Sequence, residues 1–187
     1  NGGTAELLAQ AAGRAGRPIP VLYASSAKAT DPRAYGASKK AAEDILLALA
    51  ERTGAPVAIY RLPNVFGKWC RPNYNSGVAT FCHNVARGLP ITVNDPAAPL
   101  SLVYIDDVVD AFIAQIDAGD FVTGFHAVAP VYDSTVGAIA DIIRGFRSDR
   151  DDNLIQNVGN GLIRALYATY VSYLPPDQFS YAIASHR

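Results

Sequence analysis

Ile19-Pro20-Val21-Leu22-Tyr23-Ala24-Ser25-Ser26, a short polar loop and then Tyr35-Gly36-Ala37-Ser38-Lys39 form the stretch from which the fold is read. The first six residues read as a buried strand that the paired serines close, and Tyr35 opens a helix. Residues four apart on a helix share a face, so Tyr35 and Lys39 point the same way. A phenol, with an ordinary pKa near ~10, is a poor acid or base at neutral pH, and an ammonium one turn away favours its phenolate. Such a pair can trade a proton with a carbonyl or alcohol oxygen, and the hydroxyl of Ser26 can hold and polarise the same oxygen. A lone Tyr-x-x-x-Lys is ordinarily a half-buried Tyr beside a solvated Lys. The order strand, serine pair, loop, helix is what sets this one apart.

Before this stretch, Leu7, Leu8, Ala11 and Ala12 give residues 4–15 the apolar face of a helix, with Thr4 as its cap and Gly13 to Pro18 as its break. After it, Ala42, Ile45, Leu46, Leu49 and Ala50 recur at helical spacing as far as about Thr53, with Lys40, Glu43, Asp44 and Glu51 on the other sides. Gly54 ends that helix and Pro56 prevents its return. Val57-Ala58-Ile59-Tyr60-Arg61 is short and nearly continuously apolar, as expected of a parallel strand covered on both faces, and strand, helix, strand requires a right-handed crossover. A loop rich in Pro, Asn and Gly follows over 62–76, then a helix to about Arg87. Strands are expected at Ile91 to Val93, Leu100 to Ile105 and Gly124 to Ala127. Further helices are expected after Asp106 as cap, over 135–146 and over 161–173, with the charged run from Arg147 to Asp152 as a solvated connection.

The 187 residues, 50% hydrophobic and 18% charged, have the make-up of one globular domain with a sizeable core. Sixteen basic and seventeen acidic residues leave a net charge of −1, with no basic stripe for a phosphate backbone or an acidic membrane, so neither nucleic acid nor membrane is an expected partner. No apolar run approaches the ~20 residues of a membrane span and no secretion signal is visible, which points to the cytoplasm. Cys70 and Cys82, with only His83 near them, lack a zinc-site spacing and read as reduced, buried thiols. His83, His126 and His186 are dispersed, so no metal site is expected, and Asp106-Asp107 reads as a helix start rather than a catalytic pair.

Two other segments carry chemistry. Arg61-Leu-Pro63-Asn64-Val-Phe-Gly67 lies at the carboxyl end of a strand, where open parallel sheets bind ligands, and the Asn64 amide suits a sugar hydroxyl or phosphate oxygen. Lys68-Trp-Cys-Arg-Pro-Asn73-Tyr-Asn75-Ser76 gathers two cations, two amides and two aromatics before a helix start, a set suited to a nucleotide diphosphate or, equally, to a surface loop around a buried Trp. The glycine pairs Gly13/Gly16 and Gly159/Gly161 complete no G-x-G-x-x-G fingerprint and read as turns.

The series strand-Ser-Ser, Tyr-x-x-x-Lys, Arg-x-x-Asn and Ile105-Asp-Asp-Val108 resembles the extended short-chain dehydrogenases/reductases, the NAD-dependent epimerase/dehydratase family. Tyr60 to Ser76, Ala79 to Cys82, Leu166 to Pro175 and Phe179-Ser180-Tyr181 resemble the reductase domain of the bacterial bifunctional enzymes of the UDP-N-acetyl-L-fucosamine pathway, used for capsule and O-antigen. The resemblance implies an α/β fold, the C-terminal portion of a Rossmann-like doubly wound parallel sheet with a small substrate-binding subdomain. The Rossmann-like part would take about 1–62 and 100–130, and the substrate-binding part about 63–99 and 131–175. It implies reduction, with NADPH, of the C4 keto group of a UDP-linked 6-deoxy-amino sugar. Ser26, Tyr35 and Lys39 would then be catalytic, and Tyr35, Lys39 and Pro63 would face the cofactor. Asn64, Asn73 and Asn75 would face the UDP-sugar.

The same family has its dinucleotide cradle in strands that would precede Asn1 and a zinc-binding cupin domain that would follow Arg187. The chain is therefore expected to be a fragment, inactive alone, homodimeric when whole, and with NADPH or NADH left open. A nucleotide-sugar 4-epimerase or dehydratase is the nearest alternative, although Ala27-Lys28 offers no carboxylate beside the serine as a dehydratase would want. A non-catalytic Rossmann-like binding module is the other.

Overall fold

The computed structural model describes residues 2–152, 154, 158, 159 and 161–179. Ser180, Tyr181 and His186 of the sequence reading lie outside them. The chain divides into two compact units, residues 1–63 with 106–131 and residues 64–105 with 132–187. Residues 100–105, assigned above to the Rossmann-like part, fall in the second unit.

The first unit holds a parallel sheet in the order β1 (Val21–Ser26), β2 (Val57–Leu62), β5 (Gly124–His126). Its register pairs Val21 with Val57, Ser25 with Arg61 and Tyr60 with His126. Helices α1 (Gly2–Gly13) and α2 (Ala34–Thr53) cover one face, where Ala5, Ala9, Val21, Ala42, Leu46, Leu49, Val57 and Ile59 form one buried cluster. Alternation along β2 turns Tyr60 to the other face, against Phe112 of α4 (Ile105–Ala118), ring centroids 4.9 Å apart. Both faces of β2 are thus covered, which is why its residues read as an unbroken apolar run. Each fully buried Leu of α2 contributes roughly 1.5–3 kcal/mol. Helix α2 stops where Gly54 takes φ 70° and its N–H donates to the Ala50 carbonyl, a left-handed cap that a side chain would strain.

The second unit carries β3 (Asn64–Phe66) parallel to β4 (Pro99–Tyr104), with β6 (Tyr132–Thr135) antiparallel on the other side of β4. Helices α3 (Gly77–Ala86), α5 (Val136–Asp151) and α6 (Gly161–Val171) pack into one core that includes Phe66, Cys82, Ile139, Ile143, Phe146, Leu166 and Tyr170. Ser76 caps α3 by accepting from the Ala79 N–H, and Thr135 caps α5 by accepting from the Ala138 N–H.

Several expectations need correction. Ile91 to Val93 form no strand, because no neighbouring strand offers them a ladder. Helix α5 continues through the charged run as far as Asp151, where the half-buried Arg147 and Arg150 donate to the Val85 and Gln178 carbonyls of neighbouring segments. Helix α1 begins at Gly2 rather than at a Thr4 cap, and Asp106 and Asp107 lie within the first turn of α4, complementing its dipole. The strand β3 interrupts the loop read over 62–76, and β6 was not foreseen. Neither shows in its residues, since β3 is three residues long and Tyr132-Asp-Ser-Thr135 has no apolar alternation.

Candidate active site

In the first unit, Ser26 is the last residue of β1 and also caps the 3-10 turn Ala27–Thr30, its Oγ accepting from the Lys28 N–H at 3.1 Å. With a lone pair so engaged, the Ser26 O–H is left to donate to an incoming oxygen. Tyr35 lies in the first turn of α2 and is 54% exposed, so its phenol is reachable by a ligand. Lys39, one turn on, reaches back over the Tyr23 ring and donates to the Ala24 carbonyl at 3.3 Å. The lysine is thereby held beside the end of β1.

The turn and the helix meet at Gly36. A Cβ there would lie 2.1 Å from the Asp31 carbonyl oxygen and 2.3 Å from that of Lys28. Both are backbone atoms and cannot swing aside, so the glycine beside Tyr35 is what lets the turn that follows Ser26 sit directly on α2. Replacing Gly36 by Ala is expected to destabilise the protein by about 1–3 kcal/mol, as overpacking does. A thermal midpoint equal to wild type would refute this. The same loop is stiffened by Asp31, whose carboxyl the Arg33 side-chain and backbone hydrogen bonds hold down to about 2.

Sequence periodicity put Glu43 on a polar side of α2. Instead it is 0% exposed, accepting from Ser25 Oγ at 2.6 Å and from Arg61 at 3.1 and 2.7 Å. Burial drives its carboxyl up, but the hydrogen bonds from Arg61 and Ser25 outweigh that and leave it below the ordinary carboxylate value. The one sequence signal for this pair was Arg61 itself, a charged residue ending an otherwise apolar buried strand.

A nicotinamide dinucleotide is the group this constellation suits. The Ala24 carbonyl takes one of the three donors of the Lys39 ammonium, which leaves donors for the diol of a nicotinamide ribose. Pro63 follows β2 directly and is partly exposed. Gly13 ends α1 and Gly16 lies in the turn from α1 into β1, a helix-to-strand order opposite to that of a phosphate-cradling turn.

In the second unit, Asn64 opens β3 and donates from its side chain to the Ser101 carbonyl at 3.0 Å. Asn73, with φ 55°, donates its backbone N–H to Thr80 Oγ1 at 2.9 Å, and the Asn73 and Asn75 side chains are exposed. Trp69 is 79% exposed rather than buried, with Lys68 over its ring at 5.7 Å, and Arg71 lies over Tyr74 at 5.5 Å. Ser26, Tyr35, Lys39 and Pro63 belong to the first unit, and Asn64, Asn73 and Asn75 to the second. Cys82 is buried, which pushes its thiol up, and Cys70 is partly buried; both are free thiols. Among the described residues no helix is long and apolar enough to cross a membrane and no cluster of metal-ligating side chains occurs.

The chain is 51% identical over 171 residues to UDP-2-acetamido-2,6-beta-L-arabino-hexul-4-ose reductase of Pseudomonas aeruginosa, an alignment covering 91% of this chain and 46% of that protein. It superposes on the crystal structure of the capsular polysaccharide assembling protein CapF from Staphylococcus aureus with a TM-score of 0.87 at 39% identity, over 95% of this chain and 48% of CapF. The UDP-glucose 4-epimerase of Thermus thermophilus, solved with NAD, shares the fold at a TM-score of 0.71 and 19% identity, over 90% of this chain and 68% of that one. The chain thus spans less than half the length of the first two relatives. The model of the NAD dependent epimerase/dehydratase family matches residues 4–128, more than half of the chain, and with the parallel sheet, its covering helices and the Tyr35/Lys39 helix in place the chain belongs to that family.

Proposed function

We propose that this chain supplies the proton-transfer and sugar-binding parts of a reductase that uses NADPH, or NADH, to reduce the C4 keto group of a UDP-linked 6-deoxy-amino sugar in capsule or O-antigen precursor synthesis. The observation that carries the reaction is the placing of Ser26 at the end of β1 with Tyr35 and Lys39 one turn apart on α2. The similarity to the Pseudomonas aeruginosa reductase supports the choice of substrate.

Tyr35 is the acid: its phenolic proton goes to the carbonyl oxygen as that oxygen gains charge, turning ketone into alcohol. Ser26 donates a hydrogen bond to the same oxygen, stabilising the developing alkoxide and fixing the ketone for attack. Lys39 binds the nicotinamide ribose and, as a cation beside Tyr35, stabilises the phenolate left after transfer. The bound dinucleotide supplies the hydride. Pro63 faces the nicotinamide, and Asn64, Asn73 and Asn75 hold the nucleotide sugar. The working protein is a cytoplasmic homodimer.

The test is to incubate the full-length gene product containing this chain with NADPH and the UDP-linked 4-keto-6-deoxy-amino sugar, following loss of reduced nicotinamide absorbance and the sugar product by NMR. One alcohol formed per NADPH consumed is the expected result. Interconversion of 4-epimers without net cofactor consumption would overturn the reductase reading in favour of an epimerase.

A further inference from the structure

Among the described residues, Glu43 is the one formally charged side chain that is fully buried, and the chemistry proposed above gives it no part. A buried ion pair is seldom needed for stability, because apolar residues of similar volume commonly serve as well or better. What marks Glu43 is where its three hydrogen bonds go. It lies at the third step of the series Tyr35, Lys39, Glu43, each one turn beyond the last on the same face of α2. One carboxylate oxygen accepts from Ser25, the neighbour of Ser26 at the end of β1. Both oxygens accept from Arg61, which pairs with Ser25 in the sheet register and stands two residues before Pro63. The guanidinium also meets an aromatic ring, its carbon 4.1 Å from the centre of Phe125 on β5.

We infer that Glu43 is a positioning residue for the reduction. Through Ser25 and Arg61 it locks the Tyr35/Lys39 helix to the strand ends that carry Ser26 and Pro63. The inference rests on the reading of the site given above. Neither neighbour of the carboxylate touches the reacting atoms in that reading, so the role is one of geometry. Catalysis by proton transfer is sensitive to that geometry, and a shift of about 1 Å in a supporting group costs on the order of 100-fold.

The experiment compares kcat and KM of the full-length gene product in four forms: wild type, Glu43→Gln, Ser25→Ala and Tyr35→Phe. Circular dichroism and size exclusion score the folded fraction. Gln keeps the shape and an acceptor oxygen but loses the charge-assisted fork. Expected is a folded Glu43→Gln protein with kcat lowered about 10- to 100-fold and KM for both substrates nearly unchanged, the signature of a lost transition-state geometry. Ser25→Ala, which leaves the Glu43–Arg61 pair intact, is expected to lose a smaller part of kcat in the same pattern, and decides the matter should Glu43→Gln not fold. A folded Glu43→Gln or Ser25→Ala protein with wild-type kcat, alongside an inactive Tyr35→Phe, overturns the inference and leaves the site reading standing. Activity loss that only tracks loss of folded protein in both variants also overturns it. Wild-type turnover in Tyr35→Phe overturns the reading of the site, and this inference with it.

Discussion

Replacing Tyr35 by Phe is expected to lower kcat for carbonyl reduction by roughly 10²–10⁴-fold, the usual contribution of a positioned proton donor. Removing one hydroxyl from a side chain that is 54% exposed leaves the core untouched, so the thermal midpoint should stay at the wild-type value. KM for the sugar should change little, because in the proposed reaction the phenol acts as charge develops on the oxygen rather than in the ground state. Ser26 and the Lys39 ammonium remain, so under the proposed mechanism residual turnover above the uncatalysed rate is expected. A folded Tyr35→Phe enzyme with wild-type kcat would remove the phenol from the reaction. A loss confined to KM would move it from chemistry to binding.

The second large effect is on stability. Arg61→Met removes the guanidinium that lies over Phe125 and leaves the Glu43 carboxylate buried with the hydrogen bond from Ser25. Breaking one side of a buried pair costs about 3–5 kcal/mol, and the lower end applies here because the Arg61 side chain is 29% exposed and its own desolvation is incomplete. The sign of the pH dependence follows from the direction of the shift. In the native protein the Glu43 carboxyl lies below its ordinary value, so its contribution is present above the unfolded carboxylate value near ~4.3 and is lost as pH falls through the folded one. Without the guanidinium, burial dominates and the carboxyl rises, so acid relieves the variant while it weakens the wild type. The stability gap, read from hydrogen exchange of the α2 amides, should therefore be widest near neutrality and narrow as pH is lowered toward about 4. A gap constant with pH would mean that the ion pair is not its source.

The parts of the fold visible in the sequence were those whose periodicity is local. Helix α2 declared itself through Leu46, Leu49 and the Gly54 stop, and β2 through its apolar run, because both are covered on the faces that the pattern predicts. Strands β3 and β6 carry no such pattern; β3 owes its existence to pairing with β4, and that partner lies some forty residues away in the chain, roughly ten times a common connection. At the site, the spacing of Ser26, Tyr35 and Lys39 was legible because one helical turn and one strand end fix it. Glu43 was misplaced for a physical reason: periodicity sorts residues by polarity, and a carboxylate neutralised by a guanidinium from a neighbouring strand behaves as an interior residue. For Trp69 the sequence left two readings open, and the structure does not show the buried Trp of one of them. A large aromatic is ordinarily drawn inward, yet Trp69, with φ 60°, lies exposed against the Lys68 ammonium.

That exposed indole gives the chain an optical handle of its own. Trp69 is the single tryptophan in 187 residues, it is 79% exposed, and it stands beside two cations and another aromatic in the segment from Lys68 to Tyr74. At that exposure its emission is expected to be red-shifted and open to collisional quenchers and to change little on unfolding, whereas a nucleotide ring laid against it would shield and dim it. Within this sequence, fluorescence excited at the indole band is therefore blind to the core and reads one loop.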